Sequence, residues 1–164
     1  MQPRKFALVA GIVMLLMGVL ALIPSLSTDP FTAQLPLLDV NTSYGLFLGL
    51  FAMNIFNKVA LIVFGLLGIS ASSGEQTSLP RSILFAKVVF FVMGAATILG
   101  AFPSTNTLGG RWPLFGATMV EHLVFAILGG YFGFTLPRKA ATNVEVKNAV
   151  EPKFEHERTI KKSA

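Results

Sequence analysis

Six side chains carry whatever chemistry this chain performs inside its apolar segments. They are Asn54, Asn57 and Lys58 in one segment, and Thr118, Glu121 and His122 in another. An amine, a carboxyl and an imidazole at membrane depth are the groups that bind small solutes or relay protons. The spacings of three and four residues put each set on one helical face. Counted from Leu50 and Leu114, Lys58 lies roughly 12 Å and Glu121 roughly 10 Å along a helix, so the two are expected at similar depth. A lysine well inside a membrane helix costs about 2.5–3.5 kcal/mol on insertion scales. A Lys58–Glu121 ion pair, with Asn54, Asn57, Thr118 and His122 as hydrogen-bond partners, is the expected way to offset that cost.

Two readings of this polar set compete. The leading one is structural: the six groups hold two helices together and the protein is non-enzymatic, an accessory or envelope protein. The alternative is a small transporter or channel in which Lys58, Glu121 and His122 line a water-accessible cavity. A quinone-linked or lipid-linked redox accessory is a third reading, by analogy of fold alone. One intramembrane His and one Glu are too few ligands for a closed metal site, so no metal or cofactor is expected. No P-loop, G-x-S-x-G, H-E-x-x-H or dinucleotide fingerprint is present. No third titratable group near Glu121 completes a catalytic set.

The elements that must position these residues are apolar runs. The chain has 164 residues, of which 53% are hydrophobic and 13% charged. Soluble domains carry about 25% charged residues, so the deficit points to a membrane protein. Four spanning helices are predicted over 6–23, 44–71, 82–102 and 114–136. The fold class is therefore all-α integral membrane, with one four-helix domain over 1–137. Residues 138–164 are polar and mixed in charge, include His156, and read as a disordered tail. The first run has a basic start at Arg4 and Lys5, as a signal peptide would, but at eighteen residues it exceeds the usual apolar core of such peptides.

The net charge of +5 is no nucleic-acid footprint, because seven of the thirteen Lys/Arg lie in the tail after Leu136. The first loop, Ser25–Ser43, has no Lys or Arg, and the second, Pro103–Pro113, has only Arg111. Both termini are therefore expected on the cytoplasmic side. The expected partners are the lipid bilayer and either further copies of the chain or another membrane protein. Tyr44 and Trp112 read as interfacial aromatics. Gly45 with Gly49, Ala96 with Gly100, and Gly129 with Gly133 read as close-packing faces between helices.

An internal repeat organises these runs. Shifted by 79 positions, Phe6–Thr28 falls on Phe85–Thr107 with nine identities in 23 positions, among them Met14 on Met93 and Pro24 on Pro103. The second run overlays the fourth at a shift of 64, placing Asn54, Asn57, Lys58 and Gly65 on Thr118, Glu121, His122 and Gly129. The chain thus reads as two similar helical hairpins, a parallel repeat about an axis along the membrane normal. It also argues that the first run is retained, since its counterpart lies in mid-chain.

Three stretches, F-A-L-V-A-G-I-V-M-L-L-M-G-V-L-A-L-I-P, N-I-F-N-K-V-A-L-I-V-F-G-L-L-G-I and E-H-L-V-F-A-I-L-G-G-Y-F-G-F, resemble a bacterial membrane family known as domain of unknown function 4383. The resemblance runs from Phe6 to Phe134. It implies four membrane helices in a bacterial cytoplasmic membrane, and no established activity. The family pattern it implies, N-x-x-H-x-x-x-H-x-x-x-G in the second helix and a His in the fourth, is met at Asn54, Gly65 and His122. Asn57 and Leu61 stand where that pattern has histidines. If those histidines carry a shared activity, this chain is expected to lack it.

Overall fold

A computed structural model of the chain describes residues 3–74 and 77–137. The tail assigned to 138–164, with His156, lies outside the described residues. Four helices dominate: α1 Pro3–Leu20, α2 Ile55–Ser72, α3 Ser78–Gly100 and α4 Ala117–Gly130, the last continued by a π-helical turn over Tyr131–Thr135. Each is long and apolar enough to cross a membrane, α4 when taken through Thr135. Their outward faces carry Leu8, Ile12 and Leu16, then Val59, Val63 and Leu66, then Val120, Val124 and Ile127, all exposed. Apolar residues at helical spacing on the outside are what lipid, not water, accommodates.

The helices pair as α1 with α2 and α3 with α4, and glycine sets the first contact. A Cβ on Gly65 would stand 2.6 Å from the Leu15 nitrogen, and one on Gly11 would stand 2.8 Å from the Gly65 carbonyl oxygen. The backbones therefore touch directly, as membrane helices do where small residues line a seam. Gly129 and Gly133 bring α4 equally close to Ala86, Lys87 and Phe90 of α3, as their spacing predicts. Between the pairs, Phe6 of α1 stacks on Phe132 at 4.9 Å and tilts against Phe85 of α3 at 6.4 Å. Met14, Val89 and Met93 continue this core.

The helix predicted over 44–71 is shorter, and a small sheet is added to the helical fold. Residues 44–54 lie outside any helix. Gly45–Phe47 (β2) and Phe51–Met53 (β3) form a hairpin, and Ser27–Thr28 (β1) adds a third antiparallel strand beside β2. The turn between β2 and β3 has positive φ at both Leu48 (51°) and Gly49 (69°), and the Leu50 nitrogen donates to the Phe47 carbonyl at 3.0 Å. That sign pattern matches the right-handed twist of a hairpin and cannot occur within an α-helix. Gly45 and Gly49 are accordingly not a helix-packing pair. Gly45 instead lets β2 approach the Thr28 carbonyl. The fourth helix also begins later than 114, at Ala117, because Gly116 has φ 64°. The first and third helices start three and four residues earlier than predicted.

The sheet and the loop after α3 form a cap over one end of the bundle, which we call the loop end. The two loops meet where the Val40 nitrogen donates to the Gly110 carbonyl at 3.2 Å. Tyr44 is buried inside the cap rather than placed at an interface. Its hydroxyl donates to the Pro36 carbonyl at 3.1 Å. Burial pushes that hydroxyl up to about 12, so it remains a donor at any ordinary pH.

Candidate functional site: a fastened cap and an intramembrane cavity

The first turn of α2 shows how the cap is attached. Asn54 is the N-cap, and its Oδ1 accepts from the Phe56 nitrogen at 3.1 Å. The Asn57 Oδ1 accepts in return from the Asn54 nitrogen at 3.2 Å, closing a capping box. Both amide groups then reach outward. Asn54 Nδ2 donates to the carbonyls of Val40 (3.1 Å) and Arg111 (2.7 Å), one in each loop. Asn57 Nδ2 donates to the Pro113 carbonyl at 3.1 Å. From α4, Thr118 Oγ1 donates to the Ala52 carbonyl in β3 at 3.2 Å. These three side chains are buried and hydrogen-bonded to backbone.

Lys58 does the same, and this overturns the expected Lys58–Glu121 pair. Its Nζ donates to the Ser43 carbonyl at 2.6 Å and to Ser43 Oγ at 2.7 Å. The reason is depth. With α2 starting at Ile55, Lys58 is its fourth residue, about 5 Å from the helix start rather than 12 Å. The cap lies within reach, so no partner from across the bundle is required. A cycle of Lys58→Met, Glu121→Gln and the double variant is therefore expected to be additive within about 0.5 kcal/mol. Thermal melts of the detergent-solubilised variants would measure it. A double variant more stable than the sum of the singles would restore the pair.

Glu121 and His122 part company with the other four. Glu121 Oε1 and His122 Nδ1 are buried and have no hydrogen-bond partner among the described residues. His122 is 8% exposed. Both line a cavity of about 410 Å³ bounded by α2, α3 and α4. Leu61 and Phe64 supply the α2 wall, and Met93, Ala96 and Leu99 the α3 wall. Trp112 and Leu114 close it toward the cap, where Trp112 also stacks on Phe56 at 5.8 Å. At its α3 rim, Phe91 and Val92 are 63% and 44% exposed. Part of its wall thus belongs to residues exposed on the flank of the helices. Asn57 and Thr118 also border it, and each already donates to a backbone carbonyl.

The arrangement suits binding. A pocket of several hundred Å³, mostly apolar and with a few converging polar groups, is the usual form of a small-molecule site. Among the described residues no group of three His, Asp or Glu side chains converges to hold a metal ion. The sequence reading names all six polar residues, and the structure divides them into four cap fastenings and two cavity groups. It does not find Ser43, which holds Lys58, nor the walls formed by Phe64, Phe91 and Trp112. Such walls join residues far apart in sequence and carry no local signal.

Four apolar helices of spanning length, tied at one end by a hydrogen-bonded cap, place the molecule in the class of multi-pass membrane proteins. Within that class the chain belongs to the family described as Domain of unknown function (DUF4383), whose profile matches residues 4–135. No curated protein and no solved structure matches the chain.

Proposed function

We propose that this is a non-enzymatic multi-pass protein of the bacterial cytoplasmic membrane that holds a small molecule in the cavity beside Glu121 and His122. The observation that carries this reading is the pair of buried, unpartnered polar atoms, Glu121 Oε1 and His122 Nδ1, on the wall of one apolar cavity. Buried polar groups are nearly always satisfied, and an unsatisfied one costs about 1–3 kcal/mol. Two at one cavity are accounted for by a ligand that completes them. The rest of the polar cluster is structural. A transport role for Lys58, Glu121 and His122 together is less well supported, because Lys58 is committed to Ser43.

Both termini are cytoplasmic in this proposal, which the scarcity of Lys and Arg in the two loops supports. The two hairpins descend from one, and their seams support this. Gly11 faces Gly65 as Phe90 faces Gly129, and these pairs are related by the same shifts of 79 and 64. Association with a second copy or another membrane protein would use the apolar flanks of the helices.

Ala96→Phe tests the cavity. Native mass spectrometry of protein purified in mild detergent should find a bound small molecule on the parent chain and none on this variant. A molecule retained by Ala96→Phe, or none on either, would overturn the reading.

A further inference from the structure

The chemistry of the cavity selects among ligands, and the inference here rests on the binding reading above. The walls contribute one carboxyl and one imidazole, and no Lys or Arg lines them. The basic side chain that could balance Glu121, Lys58, is turned to Ser43. An anion entering the cavity would meet no positive partner and would face Glu121. A cation would meet the carboxyl, with the aromatic side chains of Phe64, Phe91 and Trp112 among the lining. Aromatic faces and a carboxylate both attract positive charge, and more strongly where water is excluded. The apolar remainder of the walls requires that the cation carry a hydrocarbon body. Phe91 and Val92, which line the cavity and are exposed, put one wall of it next to the lipid.

We propose that the cavity between α2, α3 and α4 binds a lipophilic monovalent organic cation, its charge against the Glu121 carboxylate and its apolar body against Leu61, Phe64, Met93 and Trp112. The carboxylate supplies the charge that holds the cation, and protonating it removes that charge. Binding therefore weakens as pH falls. Few other titratable groups bear on this. His122 borders the cavity from the same helix, while the α2, α3 and loop residues that line it include no acid or base.

The test uses the full chain in neutral detergent and tetraphenylphosphonium as the probe, followed by titration calorimetry. Saturable binding is expected, weaker at lower pH. Tetraphenylborate, of the same shape and opposite charge, should not bind. Glu121→Gln should melt as the parent does and bind tetraphenylphosphonium on the order of 100-fold more weakly. Equal binding of tetraphenylphosphonium and neutral triphenylphosphine oxide, unchanged in Glu121→Gln, would overturn the cation inference while leaving the cavity a binding site. The comparison of the three probes on the parent chain decides the matter even if Glu121→Gln does not fold. Binding of none of the probes would overturn the inference alone if Ala96→Phe still empties the chain of a co-purified molecule, and both readings if it does not.

Discussion

Asn54→Ala is expected to lower the stability of the fold by about 3–5 kcal/mol. The loss of an N-cap accounts for about 1 kcal/mol. The larger share comes from the carbonyls of Val40 and Arg111, which both lose their donor when the Asn54 amide is removed. Each of these part-buried acceptors left unpaired costs about 1–2 kcal/mol. Asn54→Asp separates the two contributions. Aspartate caps helices as well as asparagine does, yet it has no N–H to donate and would point a carboxylate at two carbonyl oxygens. It should be at least as damaging as alanine. Thermal unfolding measures the loss, and faster tryptic cleavage at exposed Arg111 would report that the second loop has come away. Full stability in Asn54→Asp would mean that capping is the residue's whole contribution.

Gly65→Val should be comparably severe, for a steric reason. The new Cβ would lie 2.6 Å from the nitrogen and 2.7 Å from the Cα of Leu15. Those are backbone atoms of a regular helix, and no rotamer change relieves the contact. Helices α1 and α2 would have to move apart along their shared seam, at a cost of about 3 kcal/mol or more. Gly94→Ala is the control. Gly94 also lies in a helix, but its Cβ would come no closer than 4.0 Å to its nearest neighbour, Ala126. There alanine should be neutral or stabilising by up to about 1 kcal/mol, since it is the better helix former. Equal destabilisation by both would mean that helix packing is not what Gly65 supplies.

The sequence made the helices legible wherever an apolar run had one use. Helices α1 and α3 are recovered within a few residues because a long lipid-facing run admits little else. The stretch 44–54 is equally apolar but folds as a hairpin, and composition alone does not separate the two. Its Gly45 and Gly49 have the spacing of a helix seam while acting as a strand contact and a turn. A local signal was nevertheless present. Asn54, a favoured N-cap residue directly ahead of a long apolar run, is a helix-start signal. Reading it would have moved the start of α2 to Ile55 and Lys58 to its first turn, which removes the case for an ion pair with Glu121. The division of the polar set could not be read this way. Whether Glu121 and His122 face backbone or open space depends on α2 and α3, which are placed by contacts far along the chain.

The bonds that fasten the cap reach forward in the chain by 57 positions from Asn54 to Arg111 and by 56 from Asn57 to Pro113. At roughly 5–20 residues per second, a ribosome needs about 3–11 s to make that stretch. Throughout this interval the first hairpin already has its seam partners, Gly11 and Gly65, but α2 lacks the acceptors for its two asparagine amides. The first half of the protein is thus born with an unfinished end, and the arrival of residues 111–113 completes it. Assembly of the two halves is ordered by synthesis: the second hairpin, on emerging, closes the first.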